Sequence, residues 1–459
     1  MIKKIKIYIT LAAVAFSSVS CLDKYPEDAI PEGDAIRTVE EANQAVIGIY
    51  AYMKNPNLYS GLLTLLPDLQ ADLAYAVEGY TNTYGNIWRW DILPTNTEVE
   101  AVYGTLNALI GKCNFLLERI AVLEQEVDDE DYEKLQQFKG EALFARALSY
   151  SDLIKMYCKA YDPATAADEL GVVLVSSYSN AGTLKRASLK DSYQFVLDDL
   201  AQSATCLKPD ENENDESYYD TPYFTIYAVN ALYARVYLNM QEWDKAIEYA
   251  SKVIDSRKFK LSSTTEMIDS ETSYYQYMWQ YDHSTETIWK VGFTTTSYGG
   301  SLGQIFFNYD FNSFKPDYVP AEWVLNLYAD TDLRATTFFQ FYRTGYEHGL
   351  QWPLLAKYFG NQEFYEQNIL HVTMPKVFRL SEQYLIRAEA YCQKSNPEYG
   401  KGANDLTTLR QARYSNYGSA SLTEENWFKE ISEERVRELY MEGFRLNDLK
   451  RWGQQGLVD

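Results

Sequence analysis

The feature that most limits how this chain can fold is a repeated pairing of helices. In residues 231–254, the small residues Ala231 and Ala234 precede Tyr237, and a turn at 239–242 follows. Trp243, Ala246, Ile247, Ala250, Val253 and Ile254 then recur at helical spacing. This is the tetratricopeptide pattern, in which small residues let two antiparallel helices approach and large ones fill the gaps. A second copy is readable at 384–413, with Ala388, Ala390 and Tyr391 on one helix and Ala403, Leu406 and Leu409 on the other. Looser copies pair 140–157 with 188–207, across an extended stretch at 171–175, and 40–53 with 102–123. The expected fold is mainly α, a tetratricopeptide-like scaffold with helix pairs near 40–123, 140–207, 222–254 and 376–413.

Two stretches break the helical period, 55–97 and 262–375, the second rich in Tyr, Phe, Thr, Ser and Gly with short alternating runs such as 287–293. Irregular segments longer than about 15 residues are uncommon without a purpose, so both are expected to carry function or small strands. The acidic run 210–216 holds no apolar residue and reads as a solvated loop. Forty tyrosines and nine tryptophans bring aromatics to 15% of the chain. Rings at helical spacing belong to the core; those on the irregular stretches are the candidates for recognition. Flat apolar faces with a polar edge suit the C–H faces and hydroxyl rims of sugars.

In the first stretch, Tyr84, Asn86, Trp88, Arg89 and Trp90 combine stacking faces with amide and guanidinium donors. On an extended segment Trp88 and Trp90 would point the same way; the alternative is that one or both cap the core. Trp279, Tyr281 and Tyr298 are the candidates from the second stretch.

The N-terminus begins with Lys3, Lys4 and Lys6, continues with an apolar run to Val19 and reaches Ser18, Val19 and Ser20 before Cys21. This is a secretory signal, expected to span 1–20. The run is shorter than the ~20 apolar residues of a membrane span. Cys21 stands where lipoprotein processing would acylate the first mature residue, anchoring the chain without a span. Cys113, Cys158, Cys206 and Cys392 show no close spacing and are read as apolar helix residues, a single disulfide among them staying open. Loss of the three signal lysines would take the formal net charge from −23 to −26. Such a field disfavours nucleic acid and heavily sulfated glycans as partners.

The stretch 431–452 runs Ile431-Ser432-Glu433-Glu434-Arg435-Val436-Arg437-Glu438-Leu439-Tyr440-Met441-Glu442-Gly443-Phe444-Arg445-Leu446-Asn447-Asp448-Leu449-Lys450-Arg451-Trp452. It resembles the ER, EL, EG-x-R and DL-x-RW elements of the SusD/RagB family. Residues 384–391, 140–147 and Tyr103 with Ile110, Cys113 and Asn114 resemble other recurrent helices of that family. A tryptophan the family places shortly before Tyr103 is absent. Opposite charges three and four apart in the signature are expected to lock helices together, Arg435, Arg437, Arg445 and Arg451 among them.

The resemblance implies a surface-exposed outer-membrane lipoprotein, one SusD-like domain over 21–459. It would capture oligosaccharide and deliver it to a SusC-like, TonB-dependent transporter without covalent chemistry. It also makes Asp72 a candidate acceptor, by likeness to an acidic family position upstream of the tryptophan loop. No cofactor or metal is expected, since His283, His348 and His371 are scattered and form no HExxH. Two other readings compete: a surface glycoside hydrolase, for which 65 acidic residues make a carboxylate pair easy to find, and a lipoprotein whose repeats bind only protein.

Overall fold

Five of the long helices in this protein start at a capping side chain. The computed structural model describes residues 35–458 apart from 79–80, 179–183, 209–220 and 347–348, so Cys21 and the run 210–216 lie outside the described residues. Helix α1 (Val39–Tyr52) opens on a capping box in which Thr38 accepts from the Glu41 amide and Glu41 from Thr38. After α2 (Leu62–Leu69) and the single turn α3 (Gly85–Trp88), Asn96 caps α4 (Thr97–Leu123), Asp128 caps α5 (Asp129–Tyr157) and Ser188 caps α6 (Leu189–Cys206). Thr225 caps α7 (Ile226–Asn239), which turns into α8 (Trp243–Ile254). Past a segment of short helices and strands come α9 (Leu380–Gln393), α10 (Tyr399–Gln411), α11 (Trp427–Leu439) and α12 (Arg445–Gln454).

Successive helices pack side by side, α4 on α5, α5 on α6, α7 on α8, α8 on α9 and α9 on α10. Small residues set the spacing. Ala231, Ala234, Ala246, Ala250, Ala388 and Ala390 are fully buried, and a Cβ at Gly140 would stand 2.8 Å from side-chain atoms of Cys206 and Leu207. The pairs are also pinned by charge. Arg146 on α5 grips Asp199 on α6 at 2.8 and 2.6 Å and reaches Asn114 on α4 at 2.7 Å. Arg387 on α9 grips Asp405 on α10 in the same two-point manner. The four described cysteines are free, and burial pushes the thiols of Cys113 and Cys392 up to about 12, so they act as small apolar residues.

The strands form two-stranded antiparallel ribbons. Thr287–Lys290 pairs with Lys376–Arg379, and Ala74–Ala76 with Tyr318–Pro320. The alternation read at 287–293 does not produce one wet face: every residue of Thr287–Lys290 is buried, because the ribbon runs through the interior. Trp289 there donates to the Pro222 carbonyl at 2.9 Å.

The signature stretch supplies a buried lattice of charges that joins the second irregular segment to the helices. Glu438 is enclosed by Arg334, Arg379 and Arg413, all four being at most 1% exposed. Arg379 and Arg413 also share Glu286, Arg334 also holds Asp332 and Glu434, and Arg379 with Lys357 holds Glu442. Burial works to raise the Glu438 carboxyl, yet Arg413 and Arg379 outweigh it and keep the group well below the usual range. Glu434 is held low in the same way by Arg334, Arg437 and Arg410. Arg435 bridges to Asp448, and Arg451 with Trp452 reaches Glu389, so α11, α12 and α9 are tied together.

Glu438→Gln leaves three buried arginines short of a counter-charge, so a loss of about 3–5 kcal/mol in unfolding free energy is expected. Glu130→Gln, removing an exposed i,i+4 pair, should leave the stability close to that of the parent. The sign with pH follows from the depressed folded-state values. The stabilisation from Glu434 and Glu438 is complete above the unfolded value near 4.3 and fades as pH falls toward their folded values. Denaturant titrations between pH 7 and 3 should therefore show a shallower pH dependence in Glu438→Gln than in the parent, and parallel curves would contradict this assignment.

Candidate functional site

Residues 68–76 carry an unusual load of indole hydrogen bonds. Trp90 donates to the carbonyl of Gln70 at 2.7 Å, Trp323 to that of Asp72 at 2.7 Å and Trp88 to that of Ala74 at 3.0 Å. Trp352 donates to Pro320 on the paired strand at 2.8 Å, and the Tyr440 hydroxyl to Leu73 at 3.1 Å. An indole N–H can only donate, so each bond fixes the edge of a ring and leaves its faces free for other contacts. The two irregular stretches of the sequence meet here. The ribbon of Ala74–Ala76 with Tyr318–Pro320 joins them, and Asn82 donates to Asp317 at 2.9 Å while the Tyr318 hydroxyl donates to Thr83 at 2.6 Å.

The tryptophan loop is not extended. Residues Gly85–Trp88 make one helical turn flanked by Tyr84 and Trp90, both at φ +61. Trp88 and Trp90 therefore do not share a face by alternation. Trp88 is half-buried and packs on the core formed by Leu65, Leu69 and Tyr318, together with Tyr84. Trp90 projects, 61% exposed. A bulky residue in left-handed backbone is an outlier, and strain of this kind collects at functional sites. Here it coincides with the exposure of a large ring. The loop is nonetheless braced, with the Asp91 amide on the Asn86 carbonyl at 2.8 Å and the Trp90 amide on that of Ile87 at 3.0 Å.

Of the other sequence candidates, Asp72 lies in the site, its side chain 46% exposed and held by Arg445. Arg89 is exposed beside Trp90, and Asn86 is half-buried on the turn. Trp279 is a core residue, 4% exposed, with the ammonium groups of Lys357 and Lys376 at 4.1 and 4.8 Å from its ring centre. Its ring faces are occupied by cations of the interior, which excludes it from a surface platform. Tyr281 stacks on Tyr277 at 4.8 Å and is half-buried. Tyr298 is exposed but sits against Phe364, next to the Ser297 that binds Lys54 past the end of α1.

Two residues of the site were not singled out from the sequence. Trp323, half-buried on a four-residue helix, looks like core in an aromatic-rich stretch; only the Asp72 carbonyl that it binds from 251 residues away reveals its place. Arg445 was expected among the helix locks. Instead it leaves the buried lattice and meets Asp72 with Nε–Oδ1 and Nη2–Oδ2 both at 2.8 Å, its guanidinium 5.4 Å from the Trp323 ring centre. The reason is geometric: it opens α12, facing the end of α2, and has no acidic partner on α11. The assembled surface is a set of edge-anchored indoles beside an exposed ion pair, suited to a flat apolar face ringed by hydroxyls.

Residues 22–238 match the sequence profile of a family described as starch-binding and associating with the outer membrane, and residues 342–456 match that of the SusD family. A SusD-like protein of Formosa agariphila is 22% identical over 98% of this chain and 90% of its own. Among solved structures, a SusD superfamily protein from Bacteroides thetaiotaomicron aligns with a TM-score of 0.76 at 22% identity, covering 90% of this chain and 89% of that one. A surface glycan-binding protein A from Bacteroides fluxus aligns with a TM-score of 0.67 at 18% identity, over 91% and 89%.

The difference between the two tryptophans of the loop is measurable. Trp90→Asn places a residue that tolerates left-handed backbone where an exposed ring stood, so stability should change by no more than about 0.5 kcal/mol. Trp88→Ala opens a gap at the core edge and should cost about 2 kcal/mol or more. Urea denaturation of both variants checks this, and equal losses would mean that the loop has no distinct inner and outer ring.

Proposed function

Since the chain belongs to the SusD/RagB family, we propose that it is an outer-membrane lipoprotein that captures neutral oligosaccharide and passes it to a SusC-like transporter. The observation that carries the reading is the exposed, strained Trp90, its edge anchored on the Gln70 carbonyl two residues before the Asp72 that Arg445 holds. Among the described residues no ring or cation packs on the faces of Trp90, whereas the face of a sugar would cover one. Vicinal hydroxyls would donate to the Asp72 carboxylate. With both its oxygens engaged by one guanidinium, Asp72 is arranged to accept hydrogen bonds and not to hand a proton to a leaving group. The reading is therefore of a binding protein without covalent chemistry.

Delivery to a transporter and anchoring through Cys21 complete the proposal. They are supported by the signal-like start, by the family, and by the fact that no described helix is long and apolar enough to cross a membrane. Acylation on Cys21 would then be what holds the chain at the membrane.

The function is tested by calorimetry with maltoheptaose, laminarihexaose, xylohexaose and mannohexaose. Trp90→Ala and Trp323→Ala should each weaken the tightest of these about tenfold, or about 1.4 kcal/mol, while Trp90→Phe keeps part of the affinity. The affinity should change little between low and high salt, because stacking and neutral hydroxyls carry no net charge. Absence of binding to any neutral saccharide in a broad panel would remove the reading, and release of new reducing ends would favour a hydrolase. Separately, Cys21→Ala expressed without the transporter should move the protein from the membrane to the soluble fraction.

A further inference from the structure

Arg445 belongs by sequence to the signature's charge pattern and by position to the platform. The turn before it brings α12 against α2. Gly443 sits at φ +83, where a Cβ would stand 3.1 and 3.2 Å from the Thr64 carbonyl oxygen and Cα, so the two backbones approach as only glycine permits. That approach lets Asp68, fully buried on α2, accept the amides of Gly443 at 2.8 Å and Arg445 at 2.9 Å. Four residues on, Asp72 takes the guanidinium. One short stretch thus holds residue 445 by its backbone from beneath and by its side chain from the surface.

The contacts close into a circuit. The Trp323 indole donates to the Asp72 carbonyl, the Trp323 ring lies near the Arg445 guanidinium, and the guanidinium binds both oxygens of the Asp72 carboxylate. A carboxylate offers about four acceptor positions. Arg445 uses one on each oxygen, and with the Asp72 side chain 46% exposed the remaining positions are open to a solute. The other arginines of the signature differ. Arg435, Arg437 and Arg451 are 3–7% exposed; Arg435 and Arg451 bond between helices, and Arg437 bonds Glu434 on its own helix and the Leu327 carbonyl. Arg445, its side chain 14% exposed, pairs instead with a carboxylate that is 46% exposed, so its two bonds hold a group that reaches the surface.

We propose that Arg445 is a positioning residue of the glycan site, holding Asp72 as a two-point acceptor for a pair of adjacent sugar hydroxyls and steadying Trp323 beside them. This rests on the glycan reading above and assigns to that site a saccharide with an unsubstituted vicinal diol. A neutral pyranose with adjacent free hydroxyls fits; one whose diol is methylated does not, because the acceptor pair then meets no donor.

The test uses the folded protein and whichever of the four oligosaccharides named above the parent binds tightest. Arg445→Gln should weaken that saccharide tenfold or more at a temperature where its melting curve shows the variant to be folded. Arg445→Lys should restore part of the affinity, since an ammonium keeps the charge but not the fork. Asp72→Asn should lose as much as Arg445→Gln, and the double variant should be no worse than either single one, the mark of two groups acting as a unit. The parent should also reject the per-O-methylated saccharide, and Arg445→Gln should discriminate less between the two forms. Affinity within twofold of the parent in Arg445→Gln, or losses that add in the double variant, would overturn the positioning role while leaving the glycan reading standing. A parent that binds none of the saccharides would overturn both.

Discussion

The second irregular segment is joined to the helices by the burial of Glu438 among Arg334, Arg379 and Arg413. Removing charges from water is costly, and mutual attraction offsets the cost only when geometry is good and every donor is used. The lattice meets that condition through Glu286, Asp332, Glu434 and Glu442, which come from separate parts of the chain. A register error in the ribbon of Thr287–Lys290 with Lys376–Arg379 would strand at least one full charge in the interior. The lattice therefore selects one way of laying the second irregular segment on the helices, and the strands reach Asp317 and Tyr318 in a fixed place.

From there the site follows by short range. Once Tyr318–Pro320 is fixed, it pairs with Ala74–Ala76, and the carbonyls of Gln70, Asp72 and Ala74 become available to the indoles of Trp90, Trp323 and Trp88. The loop holds Tyr84 and Trp90 in left-handed backbone because the hydrogen bonds around Gly85–Trp88 over-determine it. A rigid platform has an energetic consequence for binding, since rings already fixed at their edges lose little freedom when a ligand stacks on them. Rigidity here is a property of the scaffold transmitted outward, with Asp68 and Gly443 as the joint between α2 and α12.

The two halves of the chain were unequally readable. The alanines of α7, α8 and α9 stand at helical spacing, and helices pack by spacing, so the scaffold was legible from residues such as Ala231, Ala246 and Ala388. Trp88 and Trp90 stood out as aromatics in a polar cluster, while Asp72 was a candidate only through the family resemblance. Trp279 was misplaced because a tryptophan among tyrosines looks the same whether its faces meet solvent or, as here, Lys357 and Lys376. Arg445 was expected among the helix locks, and no neighbour in sequence reveals that its partner is Asp72, 373 residues away.

What the sequence by itself determined is whatever depends on local period and order: the helix pairs and the signature shared with the family. What only the tertiary structure decided is which rings are exposed and which charges are paired at the surface. Period-3.6 patterning encodes burial along a helix because each residue's direction follows from its index. On the turn at Gly85–Trp88 and the single-turn helix that carries Trp323, direction is set instead by contacts with carbonyls and carboxylates far along the chain, and no local regularity records them.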